Sequence, residues 1–187
     1  MTGGPGQHPA RDSRPAGESV PASDAGPASD ARPARDRDRA GRARNARPRD
    51  ALGRPLPRGA RGEPTMPDDL ALPPARTLAL AQRLLDEGRA FHAHEVLEAA
   101  WKAAPAAERE LWRGLAQIAV GLTHAQRGNA TGAAALLRRG GLRVAEYPGH
   151  APHGIDTAQV AGQAMSLADQ ISAAGLPAGN VGFRLAG

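Results

Sequence analysis

The chain has 187 residues, no cysteine and only five aromatic residues, and its 24 lysines and arginines exceed its 19 acidic residues by five. The absence of cysteine excludes disulfide scaffolds, thiolate zinc sites and cysteine nucleophiles, and it is typical of a cytoplasmic protein. No apolar stretch approaches the roughly 20 residues that a membrane-spanning helix needs, so the sequence predicts no membrane partner.

The N-terminal third differs in composition from the rest of the chain. Residues 1–65 contain 13 basic and 8 acidic residues and no aromatic residue, which accounts for the whole excess of positive charge. Such a segment cannot bury enough apolar surface to offset its chain entropy. We therefore predict a disordered, low-complexity leader rich in Arg, Pro, Gly and Ala over residues 1–44.

An arginine-rich run extends from this leader towards the domain. Between Arg32 and Arg49 there are eight arginines and two aspartates. This run is the only candidate in the sequence for contact with nucleic acid or another polyanion. A solubilising leader without a partner is the simpler interpretation, because no aromatic residue is interleaved for base stacking.

Residues 45–72 are predicted to form an extended, proline-rich segment. Leu52 and Leu56 lie among Pro48, Gly53 and Pro55. Prolines fix an extended backbone in advance, so little entropy is lost when such a segment docks on a surface. We expect this segment to lie along the following domain.

From Pro73 onwards, apolar residues recur at helical spacing and β-branched runs are absent. Helices are expected over residues 74–88, 91–104, 105–127, 130–146 and 157–174, with Asn129 and Asp156 as N-caps. The adjacent Gly140 and Gly141 indicate a kink or a close contact between helices. The prediction is an all-α domain over residues 73–175, a compact bundle of about five helices stacked as antiparallel hairpins, followed by a flexible tail over residues 176–187.

Polar residues accompany the apolar faces of the second and third predicted helices. If the two helices pack antiparallel, His94 is expected to face His124 and Glu98 to lie near Gln117. His92 points the other way and is expected to be solvated. The candidate ligand-binding residues of this groove are His94, Glu98, Trp101, Arg113, Gln117 and His124.

These groups allow three interpretations. His94, Glu98 and His124 can bind a divalent metal, and Glu95 and Glu98 are candidate acid–base groups. The His-Glu-x-x-Glu pattern lacks the second histidine of the HExxH zinc signature. A buried hydrogen-bond network that fixes helix register is the structural alternative.

The function favoured by the sequence is a non-enzymatic module that binds a protein or a small molecule, as a monomer or small homo-oligomer. The alternative is a metal-dependent or acid–base, hydrolase-like enzyme that uses His94, Glu98 and His124. No cofactor is predicted apart from the divalent metal of that alternative.

Two motifs resemble the DUF309 family, small all-helical proteins without an assigned function. They are FHAHEVLEAAW at residues 91–101 and WRGLAQIAVGLTH at residues 112–124, and RGNATGA follows at residues 127–133. The segment at residues 47–57 is similar to the leader of actinobacterial-type members. The resemblance implies a compact helical bundle and supplies no reaction. The positions that match its motifs are His94, Glu95, Glu98, Trp101, Gly114, Gln117, His124 and Asn129.

Overall fold

The computed structural model describes residues 47–67, 70–148 and 152–185. Over these ranges the chain forms five α-helices and no strand, which confirms the all-α prediction. The predicted leader over residues 1–44 lies outside the described residues. The helices are α1 (Pro74–Asp86), α2 (Ala90–Ala103), α3 (Arg109–Gln126), α4 (Ala130–Ala145) and α5 (Thr157–Ala174), and each packs against the next along the chain.

The helix ends follow local side-chain chemistry. The Asn129 Oδ1 atom accepts a hydrogen bond from Gly132 N at 2.9 Å, and Asp156 Oδ1 accepts one from Gln159 N at 2.9 Å, which confirms both predicted N-caps. The third helix begins four residues later than expected. Pro105 instead opens a turn that the hydrogen bond from Glu108 N to Pro105 O closes at 3.0 Å. The fixed φ of proline suits this turn as well as it suits a first helical turn.

Glycines bring the backbones of α3 and α4 into direct contact. A Cβ atom on Gly140 would lie 2.8 Å from the Gly114 carbonyl oxygen and 2.9 Å from Ile118 N. Gly141 faces Ala161 and Ala164 of α5 in the same way. The predicted close contact at Gly140 and Gly141 is therefore confirmed, and α4 is the helix that joins α3 to α5.

Two segments without helical structure complete the domain. The N-terminal segment, residues 47–66, covers the start of α2, and the C-terminal segment, residues 176–185, crosses α1. The C-terminal segment differs from the flexible tail that the sequence predicts, because Phe183 and Leu185 are buried. Gln82 holds both residues, since its Nε2 donates to Phe183 O and its Oε1 accepts from Leu185 N, each at 2.9 Å.

Candidate functional site

The N-terminal segment folds into a compact loop over α2. Asp50 Oδ1 accepts hydrogen bonds from Leu52 N at 3.0 Å and Arg54 N at 2.7 Å, a local turn that aspartate favours. Gly53 has a φ of +73°, and a Cβ atom there would overlap the Phe91 ring. The glycine therefore allows the loop backbone to lie directly on the first aromatic residue of α2.

This loop places His92 in the interior. His92 is 1% exposed, and its Nε2 lies 3.2 Å from the Pro64 carbonyl oxygen, while its Nδ1 is buried without a hydrogen-bond partner. Burial, and then the charge of Arg89, lower the pKa of His92 below its ordinary value. The prediction of a solvated His92 is wrong, because it considered the helix without the segment that covers it.

His94 and Glu98 lie together on α2, as their spacing predicts. His94 Nε2 is 3.4 Å from Glu98 Oε2, and Lys102 Nζ is 3.0 Å from Glu98 Oε1. Burial lowers the pKa of His94, against the opposing effect of the Glu98 carboxylate. One helix thus supplies a histidine, a carboxylate and an ammonium group that already pair with one another.

Trp101, Arg113 and Gln117 belong to a second set of contacts, which includes α4. The Arg113 guanidinium lies 5.4 Å from the centre of the Trp101 ring. Arg143 of α4 forms an ion pair with Glu110, and its Nε donates to Gln117 Oε1 at 3.2 Å. These contacts join three helices and resemble the structural network that the sequence offered as an alternative, although the partner of Gln117 is Arg143 and not Glu98.

His124 lies at the junction of α3 and α4. The Asn129 amide accepts from Gly132 N through Oδ1, so its Nδ2 faces His124 Nδ1, at 2.9 Å, and donates to it. Burial and the charge of Arg127 lower the pKa of His124. His94 and His124 therefore have separate partners. Among the described residues, no three His, Asp or Glu side chains are grouped so that they can hold a metal ion.

An open pocket lies where the α1–α2 turn, the end of α3 and the C-terminal segment meet. About 360 Å³ of space without atoms lies between and above its walls, and this figure includes open solvent, so the pocket is a shallow depression and not a cavity. Its walls are Leu85, Ala90, Leu122, Ala125, Gln126, Leu176, Pro177, Gly179, Asn180 and Val181. None of the six predicted ligand-binding residues lines it.

Two amide side chains provide the polar groups of this pocket. Gln126 Nε2 donates to Gly88 O at 2.8 Å, and its Oε1 is buried without a partner. Asn180 Nδ2 lies within hydrogen-bond distance of Leu85 O at 3.2 Å and Asp86 O at 3.3 Å. Neither Gln126 nor Asn180 is among the site residues predicted from the sequence. The only signal for Gln126 was its place at the end of a helix with an apolar face.

The residues that the structure describes form a small all-α domain of five consecutive α-helices. None of the helices in the described ranges is long and apolar enough to cross a membrane. The model of the family DUF309, a domain of unknown function, matches residues 78–136, a stretch that extends from α1 into α4. The chain matches no curated protein and no solved structure.

Proposed function

We propose that this protein is a non-enzymatic binding module whose open pocket takes a small, uncharged, largely apolar molecule with one hydrogen-bond donor. The observation that supports this proposal is the pocket between the α1–α2 turn, the end of α3 and the C-terminal segment. It has apolar walls, and the amide oxygen of Gln126, one of its lining residues, has no partner. Small-molecule sites typically combine a concave apolar surface with a few fixed polar groups.

The polar groups of the pocket favour a donor over an acceptor in the ligand. The Gly88 carbonyl fixes the amide orientation of Gln126, because only the amino group of the amide can donate to it. The Oε1 atom of Gln126 is left as an acceptor. A buried acceptor without a partner costs about 1–3 kcal/mol. Because Oε1 is closed to solvent in this structure, a ligand hydroxyl or N–H group recovers that free energy when the Gln126 side chain turns towards the pocket.

The side chains around the pocket favour binding over catalysis. The lining contains no carboxylate, imidazole, amine, hydroxyl or thiol side chain. General acid–base and nucleophilic catalysis both need such a group within hydrogen-bond reach of the substrate. The sequence favours a binding module, and we propose that it binds its ligand in the apolar pocket and not at the polar cluster of α2 and α3.

The test is an NMR titration of the ¹⁵N-labelled full chain with benzyl alcohol and, as the matched probe without a donor, benzyl methyl ether. We expect shift changes at residues 122–126 and at Val181, and an affinity for the alcohol higher than for the ether by about 1 kcal/mol, the worth of one hydrogen bond. The Gln126 side-chain amide signals should move with the alcohol.

Ala125→Leu fills the pocket and should abolish these shifts, whereas Ala135→Leu, at an exposed position of α4, should leave them unchanged. Shifts that persist in Ala125→Leu, or that scatter over the surface, would contradict the proposal. Equal affinities for the alcohol and the ether would show that Gln126 Oε1 accepts no hydrogen bond from the ligand.

A further inference from the structure

Two arginine side chains lie against the Phe91 ring, and a third contacts the backbone of one of them, on the side of α2 that the N-terminal segment covers. The Arg49 guanidinium carbon lies 5.5 Å from the centre of the Phe91 ring, and that of Arg127 lies 5.9 Å from it. Arg54 contacts the backbone of Arg127, since its Nη2 donates to the Arg127 carbonyl oxygen at 3.3 Å. Two separate parts of the chain thus bring their positive charges onto one aromatic ring.

The contacts of Arg127 and Arg54 hold these two side chains and leave some of their donors without a partner among the described residues. Arg127 donates from Nε to Leu52 O at 2.8 Å, and its two terminal amino groups make no hydrogen bond to the described residues. Arg54 is exposed, and its Nε and Nη1 make none either. A guanidinium held through one nitrogen presents the rest of its planar fork to an oxyanion.

The electrostatic balance at Arg127 is positive. Burial, then the charge of Arg49, and further the charge of Arg54 lower its pKa, and only Asp50 among the neighbouring charges opposes them. The Asp50 carboxylate already accepts two backbone hydrogen bonds in the loop. Segment 47–66 as a whole has five arginines and two acidic residues, a net charge of +3. A bound anion would offset the repulsion between the positive charges of Arg127, Arg49 and Arg54.

We propose that Arg54 and Arg127, with Arg49 beside them on the Phe91 ring, form a binding site for a phosphate group. Phosphate oxygens match the spacing of the donors within one guanidinium, and a phosphate group has enough oxygens to accept from a second one. The phosphate can belong to a small phosphate compound or to a nucleic acid strand. The site is distinct from the apolar pocket and does not depend on it.

The test uses the full chain at low ionic strength with two probes, inorganic pyrophosphate and a short oligothymidylate, each titrated by calorimetry. Arg54→Gln and Arg127→Gln should each weaken binding about tenfold or more, the loss expected for one charged hydrogen bond. Arg139→Gln, on the exposed side of α4, is the matched control and should change neither affinity. Arg54→Gln keeps the test valid if Arg127→Gln releases the loop.

His124 provides an independent readout, because the charge of Arg127 lowers its pKa. Saturation with pyrophosphate should raise the pKa of His124 in the wild-type protein and leave it unchanged in Arg127→Gln. Binding of pyrophosphate with these effects supports a small phosphate ligand. Binding of only the oligonucleotide, with the same sensitivity to the two variants, assigns the phosphate to nucleic acid.

Two outcomes would overturn the proposal. One is that neither probe binds. The other is that both variants bind as the wild type and Arg139→Gln do, which would place all binding in the general positive charge of the leader.

Discussion

The contact between α3 and α4 and the cover that the N-terminal segment forms over α2 are built in opposite ways. In the first, glycines allow two regular helices to touch through their backbones, and Gly140 meets Gly114 with no room for a methyl group. In the second, an irregular loop forms some hydrogen bonds within itself, lies on the Phe91 ring, and contacts the His92 and Arg127 side chains through its backbone carbonyls. The helix–helix contact is closed, whereas the arginine group and the pocket both lie where an irregular segment meets helices. This difference indicates that the closely packed helices and the two proposed binding sites are separate parts of the domain.

The largest effect is expected from a methyl group at the helix contact. Gly140→Ala would place a Cβ atom 2.8 Å from a backbone carbonyl and 2.9 Å from a backbone nitrogen, and neither atom can move away as a flexible side chain would. Because the helices must separate, we expect the free energy of unfolding to fall by about 2–3 kcal/mol, measured by urea denaturation.

The matched control is Gly162→Ala in the interior of α5. A Cβ atom at Gly162 meets nothing within 4 Å. Alanine should therefore stabilise the protein there by about 0.5–1 kcal/mol through helix propensity alone. If both substitutions raise stability, the close approach of α3 and α4 is wrong.

The next effect concerns the loop over α2. Gly53→Ala adds backbone strain at a φ of +73° and a clash with Phe91, so we expect the loop to detach from the ring. The loss should be about 1–2 kcal/mol, limited by the free energy with which the loop docks. The measurement is hydrogen exchange at Leu56 N, which donates to Pro48 O at 2.7 Å in the docked loop.

Gly59→Ala separates strain from contact. Gly59 has a φ of +86°, and a Cβ atom there meets nothing within 4 Å. This variant should lose about 1 kcal/mol through strain and keep the protection of Leu56 N. We expect the hydrogen bond from Leu56 N to Pro48 O to open only when the contact with Phe91 is lost. Equal protection of Leu56 N in both variants would contradict this prediction.

The helices could be predicted from the sequence because their signals are local. Apolar spacing gave all five, and the side chains of Asn129 and Asp156 fixed the starts of α4 and α5. The start of α3 was misplaced because proline is equally compatible with a turn and with a first helical turn. The i, i+4 pairing of His94 and Glu98 was also within reach, since it lies on one helix.

The arrangement of the polar side chains could not be predicted in the same way. The predicted pairing of His94 with His124 took only the packing of α2 against α3 into account. In the structure Asn129 donates to His124, and Arg143 of α4 donates to Gln117. The burial of His92 and the wall of the pocket depend on segments 47–66 and 176–185. These segments have no apolar period, and hydrogen bonds from helix side chains such as Gln82 and Arg127 to their backbone fix their positions.

The smallest expected effect is the dependence of stability on pH. It also distinguishes the N-terminal segment over α2 from the contact between α3 and α4. Burial, and then Arg89, lower the pKa of His92 below its ordinary value of 6.5, whereas Glu63 and the Pro64 carbonyl act in the opposite direction. The folded protein therefore binds fewer protons at this group than the unfolded chain does. The contribution to stability is complete above pH 6.5 and falls as the pH drops through 6.5 towards the folded-state pKa.

We expect the free energy of unfolding to decrease between about pH 7 and about pH 5, and His92→Asn to flatten part of this slope. His94 and His124, whose pKa values are also lowered, account for the remainder. Met66 N donates to Glu95 Oε2 of α2 at 3.2 Å and so reports on the N-terminal segment. After correction for intrinsic exchange, its protection should fall at low pH before that of the α3–α4 contact, because the N-terminal segment adjoins His92. An imidazole signal of His92 that titrates at or above 6.5 would contradict this prediction, since a ring sealed under the loop must resist protonation.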